Sequence, residues 1–358
     1  MSSNSEATSL YPYTPSHVLP AIFSVLIGAS LVLHLYQNYL YKLWGVTFWM
    51  FWGGAVFLTG WIARCVSSYH TANLNLYIVQ TVFTLAGPPI YSAMAYNAIG
   101  RLLNYLPMHS PLNPNRVSFL FIYLGAAVEG LTGAGASTMA TALPDISSFE
   151  NGGKLVKAAL ILQATVEVWL VVLLWVVNRR CARAGMLPHN VRMLFVTLYG
   201  TSTLVLIRCV FRVVQSFAEI SAVACSPSCS SPVLEHEWYL YVFEAAPMAV
   251  FTLWLNLLHP GKYLPREKRV YLDFDGKTER LGPGWIDNRS QWQTFMDPLD
   301  LEGTLKGKPA HEPYWQEAER WPVCENGSFA AGSASNVRGR AQKIHEVFFN
   351  MAISCYYV

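Results

Sequence analysis

Residues 18–40, VLPAIFSVLIGASLVLHLYQNYL, run for 23 positions without an Asp, Glu, Lys or Arg. As an α-helix, rising about 1.5 Å per residue, the segment matches a bilayer's hydrocarbon core of about 30 Å. No Lys or Arg precedes it, so the charged leader of a cleavable signal peptide is missing and the segment reads as a spanning anchor. Six further segments of bilayer length follow: Leu43–Arg64, Leu76–Leu103, Val117–Thr138, Leu155–Val177, Val191–Ala222 and Trp238–Leu258. The predicted fold is all-α, a polytopic membrane bundle of seven transmembrane helices. It divides into an extracellular N-terminal segment (1–17), the seven-helix domain (18–259) and a polar cytosolic tail (260–358).

Charge is distributed to match. The 358 residues are 53% apolar and only 13% charged, where a soluble domain carries about a quarter. Residues 1–259 hold 12 Lys/Arg and 9 Asp/Glu, against 13 and 13 in the remaining 99 residues. A soluble enzyme with one mixed surface is excluded as an expectation. So is a nucleic-acid partner, because the basic residues form no continuous patch and the net charge is only +3.

Basic residues set the expected orientation. With the N-terminus outside, the cytosolic side carries Lys42, Arg101, Arg116, Arg179, Arg180, Arg183, Arg192, Lys262, Arg266, Lys268 and Arg269; the opposite side has Arg64, Lys154 and Lys157. Cys225 and Cys229 then fall in an outside loop, where a disulfide persists. They read either as a bridged pair or as two free thiols, with Cys65 a third candidate partner. The sequons at Asn288 and Asn326 fall on the cytosolic side, where they stay unmodified.

Ionisable groups at bilayer depth cost about 2.5–3.5 kcal/mol each on insertion scales, so each needs a partner or a wet cavity. Glu129, Glu167, Arg208, Arg212, Gln215, Glu219 and Glu244 lie in the spans, with Gln80 at a neighbouring level and Arg64 at the end of the second helix. Arg208 and Arg212 share a helix face, which Gln215 extends by a turn. Two readings fit: a structural ion network tying helices together, or a cavity binding a polar head group. The number of polar groups at one level favours the second. The candidate substrate-binding set is therefore Glu129, Glu167, Arg208, Arg212, Gln215, Glu244, Gln80 and Arg64. Pro88-Pro89 and Pro247 interrupt their helices near that depth and are candidate hinges. The small residues of the fourth helix, Gly125 to Ala136, predict close packing at the centre of the bundle. The Trp residues, Trp61 among them, read as interfacial or lipid-facing.

Other chemistry is missing from the sequence. There is no Gly-x-x-x-x-Gly-Lys-Ser/Thr loop to cradle nucleotide phosphates and no Gly-x-Ser-x-Gly elbow. Only His34 lies well inside a span, so neither a metal site nor a cofactor is expected, and the chain does not read as an enzyme. Asp273-Phe-Asp275-Gly276 departs from a calcium loop and reads as a reverse turn. The tail reads as an extended segment along the helix ends with little core of its own, available to a cytosolic partner. Residues 344–358 are apolar but too short to span.

A series of short motifs then appears in a fixed order: Tyr13-Thr-Pro-Ser16, His34-Leu-Tyr-Gln37, Gly60-Trp-Ile-Ala-Arg64, Tyr77-Ile-Val-Gln80 and Tyr96-Asn-Ala-Ile-Gly-Arg101. Glu129-Gly-Leu-Thr-Gly133, Arg208-Cys-Val-Phe-Arg212, Glu237-Trp-Tyr-Leu-Tyr-Val-Phe-Glu244 and His259-Pro-Gly261 complete it. Over about residues 13–265 the chain resembles the fungal lipid-translocating exporter family, seven-span proteins linked to aminocholesterol resistance and sphingoid-base export. The resemblance implies a fungal integral membrane protein, of the plasma membrane or a related one, that handles amphipathic molecules. Three positions depart from the family pattern. Phe57 and Gln215 stand where a Glu is usual, and Glu244 where Asp is frequent. With two negative charges fewer, a cationic head group would be held less tightly, and an anionic or zwitterionic one suits the arginines. The expected function is binding and translocation or export of amphipathic lipids or toxic lipid-like compounds without an ATPase of its own. The alternative is a seven-helix receptor for an amphipath, signalling through a cytosolic partner.

Overall fold

A computed structural model of the chain describes residues 9–141, 146–225, 231–285, 289–297, 303, 306 and 314–324. The Cys225–Cys229 pairing, the sequons at Asn288 and Asn326, and residues 344–358 lie outside what it describes. The protein is an antiparallel helical bundle: α1 (Val18–Tyr41), α2 (Trp44–Tyr69), α3 (Leu74–Tyr105), α4 (Pro114–Thr141), α5 (Ile146–Arg183) and α6 (His189–Cys225) follow one another through short connections. The last long helix, α7, is continuous but mixed, an α-turn Trp238–Leu240, a π-helical stretch Tyr241–Ala245 and an α-helix Ala246–Leu257. Apart from helices, the described residues contain a two-stranded hairpin, β1 (Val270–Leu272) and β2 (Glu279–Leu281).

Six of these helices are long and apolar enough to cross a membrane, and α3 does not join them. At 32 residues α3 is long enough; it falls short in apolarity. The physical reason is its position. From Val82 to Tyr105 no residue of α3 is exposed, and Gln80, Thr84, Ser92 and Arg101 are buried along it. A helix enclosed by α2, α4 and α6 needs no continuous lipid-facing surface, so it can carry Pro88, Pro89 and polar groups without an apolar stripe all round.

The centre of the bundle is therefore α3. The expectation that small residues would draw α4 there is not met: Ala126, Ala127, Gly130, Gly133 and Ala134 are exposed, and a Cβ added at Gly130 or Gly133 would touch nothing within 4 Å. The end of the stripe makes the closest approach. A Cβ on Gly135 would lie 2.8 Å from the Gly152 carbonyl oxygen and 2.9 Å from the Val156 nitrogen of α5. Both obstacles are backbone, so they yield only if the helices separate. Gly135→Leu is expected to lower the unfolding temperature, by a cost of about 1–3 kcal/mol for overpacking. Gly130→Leu should leave it within experimental error.

The N-terminal segment lies across one end of the bundle. Leu10 N–H donates to the Thr71 carbonyl (3.1 Å), the Tyr11 hydroxyl pairs with Ser67 (2.7 Å), and His17 stacks on Tyr69 at 4.3 Å. The opposite end is closed by the start of the tail. Arg101 of α3 donates to the Pro265 and Arg266 carbonyls (2.5 and 2.9 Å), and Tyr105 donates to Glu279 of β2 at 2.8 Å. Contrary to expectation, this part of the tail has a core. Val270, Tyr271 and Leu272 are buried, and Tyr271, Trp285, Tyr314 and Trp315 pack ring against ring. Aromatic area supplies what the short segment lacks in aliphatic residues.

The Asp273–Gly276 segment is the reverse turn of that hairpin, with Gly276 at φ +67. Asp275 accepts from the Lys277 and Thr278 backbone N–H groups, both at 2.8 Å, and from the Thr278 hydroxyl. The Thr278 and Lys277 bonds hold its carboxyl below the usual range. The turn keeps their contribution at neutral pH and loses it as pH falls through that depressed value.

Candidate functional site

Two helices contribute paired charge to the middle of the bundle, and the pairing is specific. Glu244 of α7 accepts from Arg208 Nε at Oε1 (3.0 Å) and from Arg212 Nε at Oε2 (2.9 Å). The Arg208 and Glu244 side chains are fully buried. Two features place Glu244 there. Arg208 and Arg212 are one turn apart on α6, so their guanidiniums present to one spot. Glu244 itself sits in the π-helical stretch immediately before Pro247. A wider turn accommodates the proline ring, which would clash in a regular helix, and it changes the direction in which the carboxylate leaves α7.

Arg208 has a further role that proline creates. In an α-helix the N–H of residue 89 would donate to the carbonyl of Leu85, and Pro89 has no N–H. Arg208 Nη2 donates to that carbonyl at 3.1 Å. Its Nη1 lies 3.5 Å from Gln163 Oε1 on α5, so one guanidinium ties α3, α5, α6 and α7. α3 remains helical through Pro88 and Pro89. Pro89→Ala restores the missing donor and makes the Arg208 contact redundant. A double-mutant cycle on thermal stability should give a Pro89–Arg208 coupling of about 1 kcal/mol, with Arg208→Lys costing less in the Pro89→Ala background.

Above this pair, toward the end covered by the N-terminal segment, lies a cavity of about 410 Å³. That is the size of a small-ligand pocket, about 300–1,000 Å³. One wall is polar and includes Arg64, Gln80, Arg212, Gln215, Glu219 and Glu237. The other is apolar, formed by Ala136 and Met139 of α4, Phe149 and Val156 of α5, and Phe211 of α6. Along the polar wall Arg212 Nη1 donates to Gln215 Oε1 (3.2 Å), and Gln215 Nε2 donates to Glu219 Oε1 (2.9 Å). Facing them, Arg64 donates to Gln80 Oε1 (3.1 Å), the Tyr13 hydroxyl (2.9 Å) and Glu237 Oε1 (2.7 Å). Glu237 also accepts from the Tyr241 hydroxyl (2.9 Å) and from Ser16 N–H (2.7 Å). Tyr11, Pro12 and Tyr13 of the N-terminal segment also line it.

The sequence-derived residues thus fall into separate places. Arg64, Gln80, Arg212 and Gln215 line the cavity. Arg208 and Glu244 lie beneath it, bonded to each other. Glu167 is elsewhere, buried between α3, α5 and α6, where Tyr96 donates to its Oε1 at 3.0 Å and its Oε2 has no hydrogen bond among the described residues. Glu129 is half-buried, its Oε2 likewise unbonded, with Arg208 acting on it only through space. Neither Glu129 nor Glu167 lines the cavity. Phe57 is buried at the α2–α3 contact, edge to face with Trp61 and Tyr91, away from the polar wall.

Trp61 was expected at a membrane interface; it is fully buried and lines the cavity. Glu237 and Tyr13 were missed as site residues, although one signal was available: Glu237 precedes Glu244 by seven residues, two turns up the same helix face. The Leu85 carbonyl was also readable, four residues before Pro89.

A family model described as RTA1 like protein matches residues 50–267. A relative from Leptosphaeria maculans, lipid-translocating exporter-like protein RTA1, is 35% identical over 77% of this chain and 55% of its own. A protein of the same description from Ajellomyces capsulatus is 29% identical, over 67% of this chain and 77% of its own. The probable lipid transporter atnI of Emericella nidulans is 24% identical, over 72% and 68%. The chain thus spans about half the length of the Leptosphaeria relative. No solved structure matches.

Proposed function

The chain belongs to the RTA1-like family of membrane proteins, and from that premise we propose that it binds and translocates amphipathic lipids or toxic lipid-like compounds between leaflets. The observation that carries this reading is the two-faced cavity. Its polar wall suits a head group and its apolar wall a hydrocarbon chain, and most of the lining lies on helices long and apolar enough to cross a membrane. The names borne by its relatives, lipid-translocating exporter-like and probable lipid transporter, agree with it.

In the proposed topology all seven long helices span, α3 as the enclosed one, with the N-terminus outside, the tail cytosolic and the protein in the plasma membrane. The substrate enters laterally, places its head group against Arg212, Gln215, Gln80 and Arg64, and leaves toward the outer leaflet. The Arg208–Glu244 pair closes the floor, with Glu129 and Glu167 as the acids of the inner path. Pro88, Pro89 and Pro247 are the proposed hinges. No nucleotide is hydrolysed by this chain and no catalytic step is needed.

Purified protein in proteoliposomes tests the reading with fluorescently labelled single-chain lipids. Accelerated transbilayer movement, reduced at least tenfold by Arg212→Gln, supports it. Saturable binding with no movement would contradict it and favour a receptor.

A further inference from the structure

Two charged groups on the cavity's polar wall, one base and one acid on the same helix, keep a free hydrogen-bonding position. Arg212 uses Nε on Glu244 and Nη1 on Gln215, which leaves Nη2 without a hydrogen bond among the described residues. Glu219 accepts from Gln215 at Oε1, which leaves Oε2. In the facing pair both oxygens of Glu237 are occupied, by Arg64, Tyr241 and the Ser16 N–H, and the unbonded Arg64 Nε is buried. A ligand's head group therefore meets a donor from Arg212 and an acceptor from Glu219.

The charges around the cavity cancel. Among the lining residues Arg64 and Arg212 are matched by Glu237 and Glu219, and Arg208 and Glu244 beneath the cavity pair with each other. A ligand bearing only an ammonium or only a phosphate would leave net charge in a poorly solvated pocket. Uncompensated buried charge costs several kcal/mol. A head group carrying both signs leaves the balance intact. Arg212 and Glu219 are seven residues apart, two turns or about 10 Å along one helix face. The Gln215 amide between them draws the two side chains together.

We propose that the cavity takes an amphipath with a zwitterionic head group, its acidic pole on Arg212 Nη2 and its ammonium on Glu219 Oε2. The hydrocarbon runs along Met139, Phe149 and Val156. Gln215 sets the specificity, because it joins the two poles without adding charge; a carboxylate at that position would tip the cavity toward cations. The assignment rests on the reading of the cavity as a lipid site.

Calorimetric binding to the purified full chain tests it with three single-chain probes of equal length: a lysophosphatidylethanolamine, an alkylamine and a monoalkyl phosphate. The zwitterion should bind about tenfold tighter than either of the others, a difference of about 1.4 kcal/mol. Glu219→Gln should make the phosphate the best ligand. Gln215→Glu, at a half-buried position, should raise amine affinity about tenfold and weaken the phosphate, with an unchanged unfolding temperature as the folding control. A wild-type protein that binds the amine or the phosphate as tightly as the zwitterion overturns this proposal and leaves the cavity a lipid site. Binding of none of the three overturns the lipid-site reading along with it.

Discussion

Replacing Glu244 by alanine is expected to cost about 3–5 kcal/mol and most of the folded yield. The magnitude follows from what the carboxylate leaves behind. Glu244 is the shared partner of Arg208 and Arg212, one fully buried and the other nearly so. Its loss strands two guanidiniums where water is scarce, and arginine cannot shed its proton to escape. Arg208→Ala should cost less, because Glu244 keeps Arg212, although the Leu85 carbonyl loses its donor. Arg212→Ala should cost least, since its side chain borders the cavity and Arg208 still neutralises Glu244. The order E244A, R208A, R212A, measured as unfolding temperature in one detergent, checks the account. A mildest effect at Glu244 would mean that the three residues do not form one unit.

Replacing Arg64 by alanine should release the N-terminal segment. Arg64 holds Tyr13 directly and Ser16 through Glu237, and its guanidinium also lies 5.6 Å from the centroid of the Tyr11 ring. Arg64→Ala removes those contacts and leaves a nearly buried Glu237 without its cation, for a local cost of about 2–3 kcal/mol. Each 1.4 kcal/mol is tenfold in an opening equilibrium. Amide hydrogen exchange in residues 9–17 should therefore quicken about 30- to 100-fold, while exchange in α3 stays unchanged. Equal acceleration in both would place Arg64 in the global fold rather than in the cover of the cavity.

Helix number was legible because the signal is compositional, long apolar runs separated by charge, whereas limits were not always: the fifth helix, expected over Leu155–Val177, runs Ile146–Arg183. The centre of the bundle was not. Glycine and alanine in α4 read as packing surface, yet the same residues serve equally well on an exposed face, and nothing in α4 alone distinguishes the two. In α3 the informative feature was its polarity, since a span that carries Gln80, Thr84, two prolines and Ser92 must find partners within the protein. The two arginines were readable as a pair from helix spacing, and Glu244 joined them only on depth. Glu167 and Glu129 were grouped with them on depth alone, and depth says nothing about which way around the bundle a residue points. Glu237 escaped because it lies at a helix start, where a charge needs no explanation.

The central claim is that amphipaths occupy the cavity between α3, α6 and the α4–α5 wall. The most direct measurement is photo-cross-linking of a diazirine-bearing single-chain lipid to the purified protein, with the labelled residues mapped by mass spectrometry. Helix α6 supplies its own control, because Phe211, Gln215 and Ser216 line the cavity, whereas Val210, Val214 and Phe217 are exposed on the outer face. Labelling is expected at Phe211, Met139 and Phe149, suppressed by excess unlabelled lipid. Labelling confined to Val210, Val214 and Phe217, and unaffected by competitor, would contradict it.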